Sequence, residues 1–173
     1  MFFSWELFSV VLLYWLENLV IGVFNVIKML SCAGKEVLLQ KLFMSAFFSV
    51  HYGMFCFGHG TFIVDLFGSE NDTLQQVPMM IMNSGLKWAL LALILSHAFS
   101  LITNYFMNKE YKNLSVSDVM FMPYKRIIVL HVFIIFGAMV LQAFGVTQLG
   151  LIALAVVKIL ADLITHNMEH RNK

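Results

Sequence analysis

Lys158, Asp162, His166 and His170 follow one another in steps of four through A-V-V-K-I-L-A-D-L-I-T-H-N-M-E-H. On an α-helix that spacing stacks the four on one slowly drifting face. The segment is otherwise apolar, and charged groups are costly at bilayer depth, so the stripe is expected to point into a protein interior and meet partners there. Within it, H-N-M-E-H matches the H-x-x-E-H pattern, in which two histidines a helical turn apart bind zinc and a glutamate acts as base. Glu169 is thereby a candidate catalytic base. A plainer reading stands beside this one: His170, Arg171 and Lys173 form a solvated basic end that anchors a helix at a membrane surface.

The partners such a stripe needs are present upstream. Counting about 1.5 Å per residue from the basic end of each apolar segment, Glu17, His51 and His97 lie roughly 15 Å deep, and His131 and Asp162 roughly 9 Å. Imidazoles with carboxylates are a ligand set for zinc, iron or manganese, and a ligating histidine usually has a hydrogen-bonded carboxylate or hydroxyl behind it. The expected metal ligands are therefore His51, His97, His131, Asp162 and His166, with Glu17 as a further ligand or general base and Ser96, Ser100, Asn18 and Asn104 behind them. Two alternatives stay open. Separate histidines on apolar helices often only hydrogen-bond a nearby carbonyl, and Asp162 is equally suited to neutralise Lys158, its neighbour one turn away. His59, eight residues from His51, cannot share an ion with it and is expected to be structural or part of a second polar site with Glu6 or Asp65.

Composition sets the frame for these groups. The chain has 173 residues, of which 60% are hydrophobic and 12% charged, and its mean hydropathy is +0.82. That excludes an ordinary soluble domain and predicts an integral membrane protein. A net charge of +1 gives no basic field for nucleic acid. Cys32 and Cys56 stand apart, without the spacing of a zinc site or a disulfide framework. The N-terminal apolar run lacks a positive n-region and carries Glu17, Asn18 and Asn25, so it is expected to be retained rather than cleaved as a signal.

A helix needs about 20 apolar residues to cross the hydrocarbon. Segments near 5–27, 42–67, 79–107, 126–144 and 147–168 qualify, which predicts an all-α polytopic membrane bundle of about five transmembrane helices in one domain over residues 1–173. Lys28, Lys35 and Lys41 mark the first connection as cytoplasmic, and Lys109, Lys112, Lys125 and Arg126 mark the third, giving an N-out, C-in orientation with Lys87 as the dissenting charge. Arg126 and Lys125 read as snorkelling to lipid phosphates. Ser115 or Ser117 is placed to cap a short interfacial helix before Pro123, and Gly53, Gly58 and Gly60 form a small-residue surface for close helix approach. Membrane lipids are the expected surroundings, and a homo-oligomer is expected from the aromatic-rich outer faces.

Five blocks, Y-W-L-E-N-L-V-I-G-V-F-N-V-I-K-M, F-F-S-V-H-Y-G-M-F-C-F-G-H-G-T-F, L-S-H-A-F-S-L-I-T-N-Y, P-Y-K-R-I-I-V-L-H and K-I-L-A-D-L-I-T-H-N-M-E-H, cover most of the chain. Together they resemble a bacterial family of small inner-membrane proteins known only as a domain of unknown function. The resemblance implies a bacterial inner-membrane protein of this architecture and no particular activity. In ligand chemistry alone the chain is also similar to membrane hydrolases of the ceramidase and adiponectin-receptor type, although those have seven spans and other motif spacings. The chemical expectation is an intramembrane metal-binding protein, zinc-dependent and hydrolytic toward a lipid. The alternatives are a b-type haem protein ligated by His51 with His97 or His131, a proton-coupled transporter, or a structural membrane protein.

Overall fold

The first helix, α1 (Phe2–Ser31), is the one on which its neighbours are assembled: α2 (Leu38–Phe67), α4 (Leu86–Ser100) and α5 (Val116–Phe121) all pack against it. A computed structural model describes residues 2–144. The expected span 147–168, with Lys158, Asp162, His166, Glu169 and His170, lies outside the described residues. The chain divides into two units, Met1–Ile127 and Ile128–Lys173. Among the described residues every regular element is helical, completed by α3 (Val77–Asn83) and α6 (Tyr124–Phe144).

Two of these helices are long and apolar enough to cross a membrane, Phe8–Ser31 and Leu86–Met107. α2 matches α1 in length, but Ser45, Ser49, His51, Gly53, Gly58 and His59 dilute its hydropathy. Within the third segment, 79–107, where the sequence leaves open whether the stretch from Pro78 continues the helix of 88–107, the two are separate helices. Ser84 turns extended between α3 and α4, and its hydroxyl accepts from Leu86 N at 3.3 Å, so the helical run restarts after Gly85. α4 then widens into a π-helical stretch, Leu101–Met107.

α1 and α2 lie antiparallel and are held by aromatic side chains that reach across to backbone. Trp15 Nε1 donates to Cys56 O at 2.7 Å, and the Tyr52 hydroxyl donates to Asn18 O at 3.1 Å. Of the expected small-residue surface, Gly60 alone is closely approached: a Cβ there would lie 2.6 Å from Trp15 Cζ2, whereas Gly53 and Gly58 face open space. Gly22 plays the same part on α1, where a Cβ would meet the Tyr52 ring at 2.7 Å. The C-terminal carbonyls of α1 need partners beyond the helix itself, and Lys28 O has one in Cys32 N at 2.8 Å. The Tyr105 hydroxyl adds a second donor to Lys28 O at 2.7 Å, and just past the helix Lys41 Nζ donates to Cys32 O.

α5 closes the basic end of this pair. Ser115 caps it as expected: its hydroxyl accepts from Asp118 N at 3.1 Å while Asp118 Oδ2 accepts from Ser115 N at 3.1 Å, the reciprocal pattern of a capping box. The helix turns Val116, Val119 and Met120 into a core of Met29, Cys32, Phe48, Tyr52, Cys56 and Ile127. Pro123 is buried in the turn that follows it and immediately precedes α6. Outward, α2 exposes Phe43, Phe47, Val50, Met54 and Phe57, and α4 exposes Trp88, Leu91, Leu95 and Phe99. Such large contiguous apolar surface is characteristic of a lipid-facing helix or an interface.

Two outcomes follow from this packing. Gly60→Ala forces a methyl into the Trp15 ring and should lower stability by about 1–3 kcal/mol, whereas Gly53→Ala should hold or raise it; thermal unfolding in detergent compares them. Hydrogen bonds from the Ser115 side chain and backbone hold the Asp118 carboxyl below its ordinary value. The folded value is depressed, so the cap's contribution is full above the ordinary carboxylate range and is lost as pH falls through the lowered value. Amide exchange at Val119, which donates to Ser115 O, should rise, after correction for the intrinsic rate, over that acidic interval, and in Asp118→Asn the step should vanish.

Candidate functional site

The start of α6 carries Tyr124 and Arg126, and two positions along a helix point to nearly opposite sides. Each finds an ionisable residue of a different helix. Arg126 Nη1 donates to Glu17 Oε1 of α1 at 2.8 Å. On the other side, the Tyr124 hydroxyl and His51 Nδ1 of α2 are hydrogen-bonded at 2.8 Å. The corner made by α5 and Pro123 thus delivers two polar groups to the helices it packs on.

Glu17 is the more loaded of the two acceptors. Its Oε1 also lies 3.6 Å from His97 Nε2 of α4. One carboxylate oxygen therefore faces a permanent cation and a titratable one. Glu17 and His97 are 22% and 27% exposed, against 43% for Arg126; partial burial strengthens the pair relative to a surface salt bridge without isolating it from solvent. Phe24 of α1 stands against the His97 ring at a centroid distance of 6.1 Å. Next to Glu17, Asn18 is wholly buried: its Nδ2 donates to Tyr14 O at 2.8 Å, but its Oδ1 has no hydrogen-bond partner. Two turns on, Asn25 is buried with its Nδ2 likewise unmatched, and so is the Ser45 hydroxyl on α2. Buried polar atoms without a protein partner are where internal water is found.

His51 sits among rings. Phe47 stacks on it at 5.4 Å and Phe55 meets it edge-on at 5.1 Å. His59 is buried and donates from Nδ1 to Phe55 O at 2.7 Å. His131 lies on α6 in the second unit.

The predicted metal ligands are not assembled among the described residues, where no three His, Cys, Asp or Glu side chains converge. Glu17 and His97 do approach one another, but the guanidinium of Arg126 lies against the carboxylate oxygen that would face an ion. His51 is elsewhere, with Tyr124. Asp162, His166 and Glu169 fall outside the described residues. The haem alternative pairs His51 with His97 or His131; His51 and His97 instead hold different partners, Tyr124 and Glu17.

Sequence reasoning missed Arg126 and Tyr124, because a basic cluster at a helix end reads as snorkelling. A signal was available. Glu17 in an apolar segment demands a cation, and the chain has only two arginines, Arg126 and Arg171.

If Arg126 neutralises Glu17, the two are coupled. Arg126→Met alone strands a half-buried carboxylate and should cost more stability than Arg126→Met combined with Glu17→Gln. A double-mutant cycle on unfolding in detergent should return a coupling of about 1 kcal/mol, discounted for exposure, and a coupling of zero would disprove the pairing.

The model of one family, described as a family of unknown function (DUF6498), matches residues 1–173. No curated protein and no solved structure matches the chain.

Proposed function

The chain belongs to that family of unknown function, and from its own residues we propose a proton-coupled membrane transporter or channel whose coupling site is Glu17, Arg126 and His97. The observation that carries this reading is the shared oxygen: Glu17 Oε1 stands 2.8 Å from Arg126 and 3.6 Å from His97. Arginine stays charged throughout, whereas histidine changes charge near neutral pH. A proton on His97 adds a second cation beside Glu17 and competes with Arg126 for the carboxylate. A proton on Glu17 removes the charge that holds Arg126. Either step redistributes the ties between α1, α4 and the start of α6, which is the differential interaction a proton-driven conformational change requires.

The surroundings fit the same reading. Asn18 and Asn25 place unmatched amide groups along the inner side of α1, where water would carry protons toward Glu17. The two candidate crossing helices are the ones that hold Glu17 and His97. Five spans, an N-out and C-in orientation and a bacterial inner-membrane location belong to this proposal, supported by the apolar outer faces of α2 and α4 and by the basic connections around Lys28, Lys41 and Lys109. The zinc and haem readings have no observation among the described residues in their favour.

Flux tests it. In liposomes carrying a pH gradient and a pH-sensitive dye, the wild-type chain should move protons, and Glu17→Gln and His97→Ala should each slow this by about tenfold or more. Arg126→Lys, which keeps the charge but loses the guanidinium geometry, should retain part of it. Undiminished flux in Glu17→Gln, or none in the wild type, rejects the reading.

A further inference from the structure

At the opposite end of α1 from the basic corner lies a cleft of about 240 Å³. α1, the end of α2, the turn at 68–72, α3 and the start of α4 all border it. That volume suits a small headgroup rather than a drug-sized molecule. Its polar groups are Ser9, Ser69, Ser84 and one carboxylate, Asp72; Phe8, Phe67 and Met80 are among its apolar walls.

Three features mark it as a site. The Ser9 hydroxyl is buried and has no hydrogen-bond partner, although a serine on a helix ordinarily bonds back to the preceding turn. Asp72 is fixed in place: its Oδ2 accepts from Ser69 N at 2.7 Å, and its own amide donates to Ser69 O at 2.8 Å. Gly68 lets the turn close against the end of α2 with the carboxylate beside it, since a Cβ at that position would lie 2.5 Å from Val64 O and 3.3 Å from Asp72 Oδ2. One peptide bond therefore uses part of the carboxylate's acceptor capacity, and a carboxylate has several further acceptor directions.

No basic side chain lines the cleft among the described residues; nearby Lys87 donates instead to Met82 O at 3.1 Å. An anionic ligand would meet Asp72 without a counter-charge. A bare divalent ion would find a single carboxylate and hydroxyls, short of an oxygen cage. An ammonium group matches the set: it donates to the carboxylate and the hydroxyls, and phenylalanine rings favour a cation near their faces. We propose that the cleft bounded by Ser9, Asp72, Phe8 and Phe67 binds the ammonium group of a small amine, either free or as the headgroup of a lipid. The site is independent of the Glu17 cluster, and its failure would leave the proton-coupling reading untouched.

Calorimetric titration of the detergent-purified chain with ethanolamine, together with native mass spectrometry after exposure to phosphatidylethanolamine or phosphatidylglycerol, tests it. Asp72→Asn preserves an acceptor for Ser69 N and removes the charge, so binding should weaken about tenfold or more. Ser9→Ala deletes an unmatched hydroxyl; it should weaken binding about threefold and leave the unfolding temperature unchanged. Ethanolamine binding that Asp72→Asn removes assigns a free amine, and phosphatidylethanolamine adducts alone, likewise removed, assign a lipid headgroup. No binding of either, equal retention of phosphatidylglycerol, or wild-type binding in Asp72→Asn overturns the proposal.

Discussion

A carboxylate on an apolar helix constrains everything near it. Glu17 sits well inside the segment that is apolar enough to cross a membrane, and a charge there must be matched or lost. The match is Arg126, 109 residues later in the chain. Bringing that guanidinium to 2.8 Å requires α6 to begin beside α1, which in turn requires α5 to be seated on α1 and α2 and the chain to turn at Pro123. The buried positions of α5, Val116, Val119 and Met120, provide the seat. Its capping box defines where the helix starts. One ion pair therefore accounts for why a six-residue helix with little intrinsic stability is built as it is: it is an adaptor between the basic connection and the polar interior.

The same corner explains the division of labour among the histidines. Four of them fall on the described helices, and three of these meet partners of different kinds: a phenol for His51, a backbone carbonyl for His59 and a carboxylate for His97. Only the last partner carries a full charge of its own. The ionic contacts among the described residues therefore gather where α1, α4 and the start of α6 meet, whereas His51 and His59 lie against rings of their own helix. The cleft at the other end of α1 has the complementary chemistry, one acidic group where the corner has cations. Along α1 the aromatic contacts of Trp15 with Gly60 and of Tyr52 with Gly22 flank Glu17 on either side, and the cleft lies beyond Trp15.

Much of this was legible from residue types alone. Composition and mean hydropathy predicted helices with apolar exteriors, because nothing else accommodates 60% hydrophobic residues with so few charges. The Ser115 cap and the short helix before Pro123 follow from local hydrogen bonding and proline geometry, which do not depend on distant residues. The break at Ser84 and Gly85 was less visible, since hydropathy averages over a turn that a single extended residue creates.

What the sequence could not decide is which ionisable groups meet. It placed Glu17, His51 and His97 at similar depth, and equal depth was read as convergence on a metal. Depth is a one-dimensional quantity, set by count along each helix; convergence also depends on how each helix is rotated and what stands between. The tertiary structure rotates His51 toward Tyr124 and Glu17 toward Arg126 and His97. Local rules determined most of the helices, the cap of α5 and the need of Glu17 for a nearby cation. The choice of that cation belonged to packing, because residues 109 apart are brought together only by the helices between them.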